Sequence, residues 1–152
     1  MNPLSRLVGI AIALGAMALV TAPIGYLSTL LDLPSLLLVA GIVVGGLVAS
    51  FGPRALLRTL RQGLESSPLP GRDVAVGLRV AAHGRRLSWA AGALGCILGV
   101  IAMLSNLADP AEVGPGLGLC LLSLLYGALS AELLFSNLAQ WLQAGGEAVP
   151  AA

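Results

Sequence analysis

The sequence predicts an all-α integral membrane protein. Four transmembrane helices form two antiparallel hairpins, with a short helical cytoplasmic loop between them. Three observations predict this. The 152 residues are 57% hydrophobic and 10% charged, with mean hydropathy +0.95, whereas a soluble chain carries about a quarter charged residues. Four apolar segments, about residues 4–30, 35–52, 87–107 and 116–142, approach or exceed the roughly 20 residues that ~30 Å of hydrocarbon requires. Finally, there is no Lys, and seven of the eight Arg lie in the loop 53–86. The turns on the other side carry only Asp32, Asp109 and Glu112. By the positive-inside rule the loop and both termini are cytoplasmic. Residues 1–143 then form one membrane domain, and the Gly-rich stretch 144–152 is a frayed tail.

The first segment begins near Leu4, with Arg6 ahead of its main apolar run and a small-residue side at Gly9, Ala13 and Ala16. Val20-Thr21-Ala22 resembles a signal-peptide cleavage site. Pro23 follows directly and the apolar run continues to Leu31, so a retained helix is expected. Tyr26 marks the outer interface. After the short turn at Asp32, Ser35 is expected to help cap the second helix. That helix carries Gly41, Gly45 and Ala49 at four-residue spacing, a close-packing face.

The loop opens at Gly52-Pro53. Arg54, Arg58 and Arg61 line one helical face, and Leu56, Leu57, Leu60 and Leu64 another. This pattern is an amphipathic helix lying against the headgroups, or a docking face for a protein. Ser66-Ser67-Pro68-Leu69-Pro70-Gly71 reads as a linker. A second loop helix starts near Asp73 and is weakened by Gly77 and Gly84. The loop has no aromatic residue to stack bases, so it is not read as a nucleic-acid surface. His83 is the only His and has no acidic cluster beside it, which leaves no metal set.

The third and fourth segments carry small residues at matching steps of three, four and three. Gly92, Gly95, Gly99 and Ala102 stand on one, and Cys120, Ser123, Gly127 and Ser130 on the other. Pro110 and Pro115 place a turn over residues 107–116. Folded antiparallel about that turn, Gly92 meets Ser130, Gly95 meets Gly127, Gly99 meets Ser123, and Ala102 meets Cys120. Small residues of this kind let membrane helices approach closely, although Gly-rich helices also show such spacings by chance. On this register Cys96 lies six residues deeper than the partner of Cys120. That is roughly 9 Å, too far for a disulfide. Glu132 is the one ionisable residue well inside an apolar segment and falls opposite Ala90. It reads as a partner for Arg85 or Arg86, as an ion relay, or as some other subunit contact. Trp89 and Trp141 belong to the inner aromatic belt.

Several stretches resemble the MotA/TolQ/ExbB proton channels, MotA above all. They are Leu31-Asp32-Leu33-Pro34-Ser35, Gly92-Ala93-Leu94-Gly95-Cys96-Ile97-Leu98-Gly99, Ser105-Asn106-Leu107-Ala108-Asp109-Pro110, and Leu122-Ser123-Leu124-Leu125-Tyr126-Gly127. The resemblance implies a homo-oligomeric ring, a pentamer, in the bacterial inner membrane. It implies a single-helix partner of the MotB/ExbD/TolR kind that carries the proton-bearing Asp. It makes Ser123 and Cys96 ion-path candidates; Glu132 joins them as an intramembrane carboxylate rather than through the resemblance. The chain departs from the family pattern in four places. Cys96 stands for a Thr, Leu124 for the second Thr of a pair, Glu132 for an Asn, and Asn137 for a Pro. The cytoplasmic loop is also far shorter than in flagellar stators. A non-conducting scaffold of the same fold is the alternative. With no nucleophile–base pair, metal set or phosphate loop, neither an enzyme nor a cofactor is expected.

Overall fold

A computed structural model describes residues 8, 9, 11, 12, 15, 32–64, 71–105 and 110–146. All regular structure among these residues is helical. The elements are α1 (Leu33–Phe51), α2 (Pro53–Leu64), α3 (Gly71–Ser105), α4 (Pro110–Leu129), a π-helical segment (Ser130–Ser136) and α5 (Asn137–Gly146). Three helical runs are long and apolar enough to cross a membrane: Leu33–Phe51, Val74–Ser105 and Val113–Gln143. Most of the first segment, and with it the expected first hairpin, lies outside the described residues. So do residues 65–70, 106–109 and 147–152.

Asp32 caps α1. Its carboxylate accepts the Ser35 amide at 3.0 Å and also the Ser35 hydroxyl. Ser35 is therefore the donor, and Asp32 rather than Ser35 is the cap. The Asp32 amide itself donates to the Tyr126 hydroxyl at 3.2 Å, which ties the start of α1 to α4. The α1 face with Ser35, Val39, Val43 and Leu47 is buried. Leu87 of α3 fills the space that Gly46 leaves. Gly52 ends the helix with φ +78, a left-handed conformation that glycine adopts without a Cβ penalty. The chain turns there into α2.

The loop helix expected from Asp73 and the third span expected from Leu87 are one element. α3 has 35 residues, about 52 Å at 1.5 Å per residue, so it outruns the ~30 Å hydrocarbon layer. Gly77 and Gly84 do weaken helix propensity, by about 1 kcal/mol each. Here they also receive side chains from the opposite helix. A Cβ on Gly77 would meet Leu142 at 2.7 Å, and one on Gly84 would collide with the Phe135 ring. Packing offsets the propensity cost. Gly84→Ala is expected to cost about 1–3 kcal/mol as an overpacked contact. Adding Phe135→Leu should recover part of that loss, read as melting temperature in detergent.

The expected turn 107–116 is also shorter. Pro110 opens α4, where a missing amide costs little, and Pro115 lies inside the helix. The register of the seam therefore moves by about one helical turn. Gly92 lies against Gly127, Gly95 against Ser123, and Gly99 against Gly116 and Cys120. Gly127 also faces Ser88. Ser130 leaves the seam and bonds the Gly127 carbonyl at 3.0 Å. Ala102 is half-buried and does not take the place opposite Cys120. The α3–α4 pair is antiparallel, as expected, and α1 packs across it.

Candidate functional site

The α3–α4 seam brings two backbones together over several turns. A Cβ on Gly99 would stand 2.6 Å from both the Cys120 amide nitrogen and the Gly116 carbonyl oxygen. One on Gly127 would stand 2.7 Å from the Ser88 carbonyl oxygen. The seam extends beyond the four pairs read from the sequence. On α3, Gly77, Ala81, Gly84, Ser88, Ala91, Gly92, Gly95 and Gly99 are all buried. They recur at the three- and four-residue steps that keep one helical face in contact. That longer repeat was present in the sequence. Gly77 and Gly84 obscure it, because their low helix propensity reads as a break between a loop helix and the third span.

Ser123 sits in the middle of this seam, fully buried. Its hydroxyl faces Gly95, where a Cβ would collide with it. Among the described residues it is the only buried side-chain N or O atom without a hydrogen-bond partner. The other nearby serines are satisfied within their own helices. Ser88 donates to the Gly84 carbonyl at 2.9 Å, and Ser105 donates to the Ile101 carbonyl at 2.8 Å. A buried hydroxyl left unpaired costs free energy. As a group that both donates and accepts, Ser123 carries hydrogen-bonding capacity that the seam leaves unused.

Cys96 and Cys120 form a disulfide, with their Cα atoms 3.5 Å apart. This overturns the expectation of a roughly 9 Å separation. The cause is the same register shift, which brings Cys120 beside Cys96 and Gly99 rather than Ala102.

Glu132 lies on the π-helical segment. Its Oε1 accepts the Arg85 Nε–H at 3.2 Å, with the side chains 45% and 54% exposed. The sequence placed it opposite Ala90. The seam shift of three residues moves it towards Leu87, and its side chain reaches Arg85. So exposed a pair contributes about 0–1 kcal/mol after solvent screening. Glu132→Gln is therefore expected to change stability by less than about 1 kcal/mol, read as a nearly unchanged melting temperature. A larger loss would mean that the pair is a structural tie.

The Asn137 side chain lies across the wide turn under Glu132. The Asn137 carboxamide donates to the Leu133 carbonyl at 2.8 Å and to the Glu132 carbonyl at 3.4 Å. π-turns of this kind recur at functional positions. Asn137, Tyr126 and Gly84 were not singled out as site or packing residues. A polar side chain within an apolar helix is the signal for the first two.

A model of the MotA/TolQ/ExbB proton channel family matches residues 72–149, just over half of the chain. The chain belongs to this family. The match runs through α3, α4, the π-segment and α5, so it contains the whole seam. Among curated proteins, 54 residues are 39% identical to Motility protein A of Cereibacter sphaeroides, covering 36% of this chain and 21% of that protein. Another 53-residue match is 42% identical to Chemotaxis protein PomA of Vibrio alginolyticus, covering 35% and 21%. A 67-residue match is 37% identical to the uncharacterized protein YtxD of Bacillus subtilis, covering 44% and 25%. The matched stretch thus spans about a fifth to a quarter of these relatives. The family is one of proton channels rather than an enzyme class. With three apolar runs long enough to span, this member is a multi-pass membrane protein.

Proposed function

We propose that this MotA/TolQ/ExbB member is a stator-like proton-channel subunit of the bacterial inner membrane. It couples proton flow to work through a single-helix partner of the MotB/ExbD/TolR kind. The observation that carries this reading is the buried, unpartnered Ser123 hydroxyl in the seam of the family-matched region. Copies of the chain assemble as a ring, a pentamer by resemblance, around the partner. Residues 1–143 act as one membrane domain, with both termini and the Arg-rich loop in the cytoplasm. The partner supplies the proton-carrying carboxyl. Ser123 Oγ takes a hydrogen bond from the hydrated proton side of the path and donates onward. Glu132, half-exposed at the inner end and oriented by Arg85, exchanges protons with the cytoplasm. No cofactor and no covalent chemistry enter this reading.

A second reading is a non-conducting scaffold of the same fold. Leu124 at the second hydroxyl position favours it. Proton flux separates the two. The chain is reconstituted in liposomes with and without a co-expressed single-helix protein, and a pH-sensitive dye reports the interior. The channel reading expects partner-dependent flux above empty vesicles. Flux at the level of empty vesicles with every partner tried leaves the scaffold.

A further inference from the structure

The seam and its serine leave the cytoplasmic side of the molecule unexplained. Between Pro53 and Leu87 the chain carries seven Arg against two acids, Glu65 and Asp73. Three of these Arg, at 54, 58 and 61, fall on α2 within about 60° of one another around the helix. All three are exposed, and among the described residues none forms an ion pair or hydrogen bond. On the opposite side of α2, Thr59 is buried and bonds the Ala55 carbonyl at 3.0 Å. α2 rests on α1, α3 and α5, so its Arg face has a fixed outward direction. Leu57, on the flank of that face, is 60% exposed.

Position decides what such a face meets. α2 begins at Pro53, immediately after Gly52 turns the chain out of the membrane-spanning α1. That places it at the level of the inner headgroups. An Arg stripe flanked by an exposed Leu suits a phosphate layer above hydrocarbon. The guanidinium binds phosphate in a bidentate fashion, its stem lies along apolar surface, and the Leu enters the acyl boundary. An acidic protein would pair with the Arg but gives no reason for the exposed Leu beside them.

We propose that α2 is a binding site for anionic phospholipid headgroups, with Arg54, Arg58 and Arg61 holding the phosphates and Leu57 entering the acyl boundary. The site is independent of whether the chain conducts protons.

The test uses the full chain in liposomes of phosphatidylglycerol and phosphatidylcholine in equal amounts. The protein is extracted in mild detergent, and its retained lipids are counted by native mass spectrometry. The parent is expected to retain phosphatidylglycerol over phosphatidylcholine roughly tenfold. R54Q/R58Q/R61Q is expected to lose most of that preference, and R54K/R58K/R61K, which keeps the charge without the bidentate fork, to keep only part of it. R79Q, which removes an exposed Arg of α3, should leave it unchanged. Equal retention by the parent overturns the proposal without any variant, so a folding failure of the Gln triple cannot shelter it. An unchanged preference in the Gln triple also overturns it, as does an equal loss in R79Q. A poly-glutamate peptide that binds the parent in pure phosphatidylcholine through these Arg, with no lipid preference, would assign the face to an acidic protein instead.

Discussion

Replacing Gly99 with Val is expected to break the α3–α4 hairpin, with a loss of about 3 kcal/mol or more. The atoms in the way are backbone. A Cβ at Gly99 would stand 2.6 Å from the Cys120 nitrogen and the Gly116 oxygen, and neither can rotate aside as a side chain could. The helices must separate along the seam, which also releases Gly95 from Ser123 and Gly92 from Gly127. In lipid, separation forfeits close van der Waals packing, for which no hydrophobic term substitutes. The readout is the melting temperature and the size-exclusion profile of the purified protein. Gly41→Ala and Gly45→Ala are the controls. Nothing lies within 4 Å of a Cβ at either position, and Ala favours a helix over Gly by about 1 kcal/mol. Those variants should melt at the parent temperature or above it. Equal damage from all three would mean that glycine content matters and the seam does not.

The second large effect is on flux. Ser123→Ala is expected to lower partner-dependent proton flux by about tenfold or more, equivalent to ~1.4 kcal/mol on the limiting barrier. The stability of this variant should hold or rise, because it removes a buried hydroxyl that has no partner. Opposite signs for flux and stability distinguish a functional hydroxyl from a packing one. Ser123→Thr restores the hydroxyl but adds a methyl against Gly95, so its flux should lie between the two. Parent-level flux in Ser123→Ala would remove this residue from the path.

Much of this was legible in the residues themselves. Apolar segment length gave the membrane class, and the Arg placement gave the topology expectation. The small-residue steps on Gly92, Gly95 and Gly99 marked the close face. The register was not legible, because Pro110 reads equally as a helix breaker and as a first helical residue. That one ambiguity misplaced Ser130 and Ala102, separated Cys96 from Cys120, and set Glu132 opposite Ala90. Gly77 and Gly84 misled in a related way. Their local propensity argues for a break in α3, whereas Leu142 and Phe135, more than fifty residues away in sequence, decide for continuity. No spacing rule reveals the π-turn under Glu132 or the Asn137 carboxamide that lies across it.

Native mass spectrometry of the full chain, purified in mild detergent with its co-expressed single-helix partner, tests the central claim most directly. The account expects a closed ring of identical subunits whose mass rises by that of the partner when the partner is present. A monomer or dimer that never takes up a single-helix protein would contradict it.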